Sequence, residues 1–113
     1  MKKEDILKLS GNTTKLTKIL MDERKLLVRF GTVIATKIRT RIWEMEQAEN
    51  LYQLSQYPPA GLHELKGKYA GLFAVNLTGN WRLIIRGYDE SGNSSTQLDA
   101  VRSVAVIEVI DYH

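Results

Sequence analysis

The sequence predicts an α+β domain, with a small twisted antiparallel sheet and N-terminal helices packed on one side of it. Three observations predict this class. Helical spacing of apolar residues dominates before Pro58, alternating strand-like segments dominate after it, and Thr78-Gly79-Asn80 between two such segments is typical of a tight hairpin turn. The chain has 113 residues, which suits one domain over residues 1–113 with a single modest core.

The composition excludes several classes of protein. A hydrophobic fraction of 43% and a charged fraction of 26% are ordinary for a globular protein. The absence of cysteine rules out disulfides, thiol nucleophiles and cysteine-based metal sites, and it suits a reducing cytoplasm. No run of eighteen apolar residues is present, so no membrane span is expected. The first residues lead into no apolar segment typical of a signal peptide.

The first half of the chain is predicted to be a strand followed by amphipathic helices. A short apolar stretch within residues 5–10 indicates the strand. Residues 12–14 are good N-cap residues, and helical spacing begins behind them. Gly31 divides the helical region, which is either one kinked helix or a helical hairpin. The positions expected to face the core are Leu16, Ile19, Leu20, Leu27, Phe30, Val33, Ile34, Ile38, Ile42 and Met45, and those expected to face away are Lys37, Arg39 and Arg41.

The second half is predicted to be mostly strands. A short helix over residues 49–56 ends before Pro58, because the residue preceding a proline is driven out of the α region. The elements predicted after it are an ordered loop over residues 62–71, strands over 72–77 and 81–88, a mobile polar loop over 89–97, a helical turn over 98–102, and a last strand from Val104 into Asp111-Tyr112-His113.

Positive charge is concentrated just before and within the predicted hairpin. Lys66, Lys68, Arg82 and Arg86 stand there against the acidic Glu64. Such a local basic patch suits a phosphate-bearing partner, and Lys68 and Arg86 are expected to bind its backbone. Arg82 is flanked by apolar strand residues, where a charge is costly unless it has a partner or faces a cleft.

Six residues form the candidate catalytic set, and their types match RNA cleavage by internal transesterification. This reaction needs a base for the 2′-hydroxyl proton, cations for the pentacovalent phosphate and an acid for the leaving oxygen. Histidine serves in either proton role, arginine offers a charged planar fork, and tyrosine stacks on a base or donates a proton. The six candidates are His63, Lys66, Arg82, Asp111, Tyr112 and His113.

Simpler interpretations of the same residues remain open at this point. Two histidines with one aspartate also suit a metal site, although no second-shell pattern accompanies them. His63, between two leucines, also suits a structural histidine. Lys66-Gly67-Lys68 is also typical of a turn with a solvated rim.

Three motifs occur in order in the second half of the chain. They are Leu62-His63-x-Leu65-Lys66-Gly67, Gly79-Asn80-Trp81-Arg82-Leu83-Ile84 and Val109-Ile110-Asp111-Tyr112-His113. In this order and with this ending, the chain resembles the RelE/ParE toxin superfamily, and more closely its HigB-like branch of plasmid maintenance killer proteins. The resemblance covers residues 58–113 well, and the helical pattern over residues 14–57 is similar to the helices that precede the sheet in that family.

The resemblance implies a RelE-like fold and the toxin of a type II toxin–antitoxin system. Members of this branch are ribosome-dependent mRNA interferases of the bacterial cytoplasm that cleave mRNA in the ribosomal A site. They need no cofactor or metal. Their partner is a helix-turn-helix antitoxin, and they meet operator DNA only through the complex with it.

The resemblance also implies a role for each candidate residue. Carried over by position, it gives proton handling to His63, Asp111 and His113, and phosphate neutralisation to Lys66 and Arg82. Relatives differ in which residue is the base and which is the acid, so this assignment stays open.

The resemblance further implies that Tyr112 positions the nucleotide.

The sequence departs from the family pattern at two places. Glu64 stands where the family often has proline, and the loop over residues 89–97 is longer than in compact members. The first adds negative charge beside the predicted site, and the second is expected to alter ribosome or antitoxin contacts.

Two other functions are compatible with the predicted fold. One is a gyrase-inhibiting toxin of the ParE type, although such relatives generally lack the Asp111-Tyr112-His113 ending. The other is a catalytically inactive toxin homologue that acts only with its antitoxin in binding operator DNA.

Overall fold

The computed structural model describes residues 7–111 and shows an α+β fold, which confirms the predicted class. In this part of the chain, helices pack on one side of a five-stranded sheet with the strand order β1-β5-β4-β3-β2. The elements are β1 (Lys8–Gly11), α1 (Thr14–Leu20), α2 (Glu23–Gln47), α3 (Leu51–Ser55), β2 (His63–Glu64), β3 (Phe73–Asn76), β4 (Trp81–Tyr88) and β5 (Ser103–Asp111), with 3₁₀ turns at Pro58–Ala60 and Gly67–Tyr69.

The sheet is mixed rather than wholly antiparallel. Strands β3, β4 and β5 pair antiparallel as predicted. The loop predicted over residues 62–71 contains the short strand β2, which pairs antiparallel with β3. Strand β1 runs parallel to β5, with Lys8 opposite Ser103 and Gly11 opposite Val106. A hairpin turn forces its two strands to run antiparallel, whereas strands separated by helices are free to run parallel. The helices and three strands separate β1 from β5, so no local signal in the sequence defines this orientation.

The helical layer is one kinked helix preceded by a short separate one. Thr13 caps α1 by accepting a hydrogen bond from the Leu16 N–H, and Asp22 caps α2 by accepting from the Lys25 N–H at 3.1 Å. Within α2, Gly31 adopts φ 81° and ψ 167°, which interrupts the helix where the break was predicted. The separation of α1 from α2 before Asp22 was not predicted.

The main core lies between the helices and the near face of the sheet. Of the apolar stripe predicted for α2, Ile34, Ile38 and Met45 are buried, but Leu27 and Val33 are 42% and 64% exposed. Leu26 is buried instead. The predicted stripe is wrong at these two positions because the helix restarts at the Asp22 cap and kinks at Gly31, and each event shifts the phase of the pattern.

Arg41 was predicted to face away from the core, and this prediction is wrong. The residue is 6% exposed. Its Nε donates to the backbone oxygen of Asn76 at 2.6 Å, and one terminal nitrogen donates to the backbone oxygen of Pro59 at 2.8 Å. The other terminal nitrogen lies 3.0 Å from both carboxylate oxygens of Glu44. Burial of this charge is tolerated because the guanidinium has both a counter-ion and hydrogen-bond acceptors.

The far side of the sheet, called the outer face below, carries a second and smaller apolar cluster. It consists of Leu65, Leu72, Ala74 and Ile84, with Tyr69, Ile107 and Ile110 packed against it. The segment between β2 and β3 crosses this face, and the Leu65 N–H donates to the Leu72 oxygen at 2.9 Å.

The long connection before β5 is a hydrogen-bonded loop. One carboxylate oxygen of Asp89 accepts from the N–H groups of Ser91 and Asn93. The helical turn predicted over residues 98–102 is instead a simple turn, in which the Ala100 N–H donates to the Gln97 oxygen. None of the helices within residues 7–111 has both the length and the apolar character that crossing a membrane would require.

Candidate functional site

The register of the sheet places His63 and Glu108 in one row across the outer face. His63 lies opposite Ala74, Ala74 opposite Ile84, and Ile84 opposite Glu108. Residues paired across neighbouring strands project from the same face, so these side chains share the outer face. Three strand spacings of about 4.8 Å separate the two ends of the row by about 14 Å.

A neighbouring row contains Arg82, which pairs with Asn76 on one side and Ile110 on the other. Arg82 stands two residues before Ile84, so it shares the outer face. Its guanidinium donates to the backbone oxygens of Gly79 at 2.8 Å and Trp81 at 2.9 Å. These bonds hold the charge at the hairpin end of the outer face. Its Cα lies about 12 Å from that of His63, two strands across and two residues along.

The other basic candidates lie on the outer face or on the segment that crosses it. Arg86 follows Arg82 and Ile84 in the alternation of β4, and it is exposed. Lys66 and Lys68 are exposed on the segment that crosses the outer face. The Lys68 ammonium lies 5.2 Å from the centre of the Tyr69 ring, within the range of a cation–π contact. The four predicted phosphate-binding residues therefore lie on or beside one surface.

The imidazole of His63 is exposed, and the structure defines one of its hydrogen bonds. Its Nδ1 lies 3.0 Å from the backbone oxygen of Gly61. A carbonyl oxygen can only accept a hydrogen bond, so this contact requires the proton to be on Nδ1. In the neutral ring Nε2 then carries the lone pair, which makes it the nitrogen able to accept a proton.

Asp111 lies at the same end of the sheet as Arg82 but in the row that points to the other side. It pairs with Trp81, whose side chain packs against the main core, whereas Arg82 pairs with Ile110. Asp111 and Arg82 therefore lie at the same end of the sheet but not on the same face, and the convergence of the whole candidate set stays a prediction. Tyr112 and His113, the other two members of the candidate set, lie outside the described residues.

Sequence reasoning missed one pair on this face, Tyr69 and Glu108. The Tyr69 hydroxyl donates to the Glu108 carboxylate at 2.6 Å, and the bond is partly buried. Glu108 interrupts an otherwise apolar strand, which is the same signal that made Arg82 a candidate. Tyr69 lies between two glycines in a loop, and no local pattern predicts its partner.

Apolar grooves are found on the helical layer, away from the outer face. One is lined in part by Trp43, Leu54 and Tyr57, and a second by Leu20, Met21 and Trp43. Among the described residues, no member of the candidate set lines either groove. Within residues 7–111, no three histidine, aspartate or glutamate side chains come together as a metal site would require.

No protein-family model matches the chain, and no curated protein matches it either. The functional interpretation therefore depends on the chemistry of the outer face and of the segment that crosses it.

Proposed function

We propose that this protein is the toxin of a type II toxin–antitoxin system that cleaves mRNA in the ribosomal A site and so inhibits translation. The observation that supports the proposal is the outer face. His63, with Nε2 as its free acceptor, lies there among Lys66, Arg82 and the other basic residues. The motif resemblance to HigB-like members of the RelE/ParE superfamily supports the same function.

The proposed reaction is an internal transesterification. A base removes the 2′-hydroxyl proton, the 2′-oxygen forms a bond to phosphorus, and the bond from phosphorus to the 5′-oxygen breaks. An acid then protonates the departing oxygen, and the products are a 2′,3′-cyclic phosphate and a 5′-hydroxyl. The hydrogen bond from His63 to Gly61 suits His63 to the role of base, since it leaves the Nε2 lone pair available. The proposed sources of the acid and of nucleotide positioning are Tyr112 and His113, together with Asp111, which lies at the same end of the sheet but in the row that points to the other side.

Charge around the scissile phosphate would come from arginine and lysine. The pentacovalent intermediate carries more negative charge than the ground state, so fixed cations stabilise it selectively. Arg82 is half-buried and anchored by two backbone oxygens, which suits this task. Lys66 would assist it, while the exposed Lys68 and Arg86 would hold flanking phosphates of the single strand.

The proposal includes partners and a compartment. A helix-turn-helix antitoxin would silence the toxin, and operator DNA would be bound only by their complex. The substrate would be mRNA on the ribosome in the bacterial cytoplasm, with no cofactor, metal or membrane involved.

Cleavage of mRNA on programmed ribosomes tests the proposal. The folded, antitoxin-free protein is expected to cut A-site mRNA and leave cyclic phosphate ends. Because general acid–base groups contribute about 10²–10⁴-fold, His63→Ala and His113→Ala should each lower the rate by that order. Arg82→Ala should lower it similarly, because removing one group that stabilises developing charge costs about 10²–10³-fold. Arg39→Ala, at an exposed arginine of α2, is the matched control and should retain the rate.

Intact mRNA after incubation with the folded wild-type protein would contradict the proposed activity. Inhibition of DNA supercoiling by gyrase in the same preparation would assign the protein to the gyrase-inhibiting toxins instead. A protein that lacks both activities and is harmless when expressed without its partner would be an inactive homologue.

A further inference from the structure

We infer that the buried Arg41 is a positioning residue for His63 and determines which nitrogen of its ring carries the proton. Arg41 belongs to α2 and His63 to β2, so the two residues are far apart in the chain. A short series of contacts through the turn at Pro58–Ala60 connects them.

The first contacts join Arg41 to the two backbone segments around Gly61. One donor of its guanidinium reaches the Pro59 oxygen at 2.8 Å, and Nε reaches the Asn76 oxygen at 2.6 Å. Pro59 precedes Gly61 by two residues, and Asn76 ends the strand beside it. Glu44, which is itself almost fully buried, supplies the counter-charge that keeps the guanidinium in place.

Gly61 ends the turn that contains Pro59 and packs against Asn76 of the other segment. It adopts the left-handed conformation with φ 55°, and its N–H donates to the Pro58 oxygen at 3.0 Å. A Cβ at this position would overlap the Asn76 side chain. The backbone of Gly61 therefore rests directly on Asn76, whose own backbone oxygen is bound by Arg41.

The last contact passes from Gly61 to His63. The Gly61 oxygen accepts the hydrogen bond from Nδ1 at 3.0 Å. The position of this oxygen follows from the turn that Arg41 holds, so Arg41 orients the imidazole and selects the tautomer with the proton on Nδ1. A hydrogen bond of this kind, from the second nitrogen of a functional histidine, sets both the tautomer and the ring direction.

The test is a measurement of the His63 tautomer by ¹⁵N NMR of the imidazole ring. Spectra are recorded at alkaline pH, where the ring is neutral, and a His113→Gln variant assigns the two histidines. In the wild-type protein, the Nδ1–H form is expected to predominate. In Arg41→Lys, which keeps the charge but cannot reach two carbonyl oxygens and a carboxylate at once, the Nε2–H form should rise to a comparable population.

One control separates this effect from a general loss of structure. Arg39→Lys, at an exposed arginine two residues away, should leave the tautomer unchanged. A folded Arg41→Lys protein with the wild-type tautomer would overturn the inference. If that variant does not fold, the wild-type spectrum still decides, because a predominant Nε2–H form in it would overturn the inference equally.

A second measurement depends on the proposed function. With His63 as base, Arg41→Lys should lower the rate of ribosomal mRNA cleavage by tenfold to about a hundredfold, the scale on which misplaced catalytic groups reduce rates. A tautomer change in a protein that cleaves no mRNA would uphold the positioning role and contradict only the proposed activity. If the protein cleaves mRNA and Arg41→Lys leaves the tautomer unchanged, the result would contradict the positioning role and uphold the proposed activity.

Discussion

A single hydroxyl group explains why Glu108 is tolerated in the middle of β5. The residues around it are apolar, and its side chain lies on the outer face beside the smaller cluster. The Tyr69 hydroxyl, 2.6 Å from the carboxylate, supplies the hydrogen bond that a partly buried charge needs. The same contact fixes the segment that carries Lys66 and Lys68 over the sheet.

Removing this hydroxyl should therefore lower stability. Hydrogen bonds to charged groups are worth roughly 1.5–3 kcal/mol, and partial exposure of this one favours the lower end. Tyr69→Phe is expected to reduce the free energy of unfolding by about 1.5 kcal/mol in urea titrations. Tyr57→Phe, at a tyrosine that is 45% exposed, is the control and should change it by less than about 0.5 kcal/mol. Equal effects of both variants would show that the bond contributes nothing specific.

The chemical identity of the candidate residues could be predicted from the sequence, but their surroundings could not. A charge inside an apolar strand points to Arg82 from pattern alone, whereas Glu108, which has the same signal in β5, was missed. The burial of Arg41 gives no such signal, because its acceptors at Pro59 and Asn76 are distant in the chain and are brought to it only by the tertiary fold. The tautomer of His63 depends on a backbone oxygen, which no side-chain pattern reports.

At the scale of elements, the interruption of α2 is located at a single glycine. Gly31 takes φ 81° and ψ 167°, a region open almost only to glycine. A Cβ at Gly31 would meet nothing within 4 Å, so steric exclusion of a side chain does not explain why this residue is glycine. The backbone conformation with positive φ explains it.

Gly31→Ala should destabilise the protein through backbone strain alone. Residues forced into such conformations cost about 1–3 kcal/mol each. The expected result is a decrease of that size in the free energy of unfolding, measured by chemical denaturation. Thr32→Ala, at the neighbouring exposed position, should be neutral or slightly stabilising, because alanine is the better helix former. A neutral Gly31→Ala variant would mean that the helix straightens without penalty.

Elements defined by local pattern were the ones that could be predicted. The hairpin from β3 to β4, the proline stop after α3 and the break at Gly31 each depend on neighbouring residues, and the structure confirms them. The parallel pairing of β1 and the exposure of Leu27 and Val33 depend on contacts between distant segments. Local spacing contains no information about those contacts.

At the scale of the whole molecule, one sheet supports two apolar clusters. Ile84 and Ile85 are neighbours in β4 and are both fully buried, but Ile85 belongs to the main core and Ile84 to the outer cluster. Because both clusters share the same strands, we expect them to unfold together.

Ile84→Ala and Ile85→Ala form a matched pair that tests this. Each removes a buried isoleucine side chain, so each should lower the free energy of unfolding by about 2–5 kcal/mol. Tryptophan fluorescence and far-ultraviolet circular dichroism should report one coincident transition in both variants. Separate transitions in Ile84→Ala would show that the outer cluster unfolds independently.

The position of β5 in the sheet also determines when the fold can form. β5 is the last described element to be synthesised, yet it lies between β1 and β4 and connects them. Until β5 emerges, β1 lacks its partner in the sheet and one edge of β4 is unpaired, so the growing chain exposes apolar surface that β5 later covers. Assembly of the sheet therefore depends on contacts between the two most distant parts of the described chain, and such non-local pairing favours slow folding.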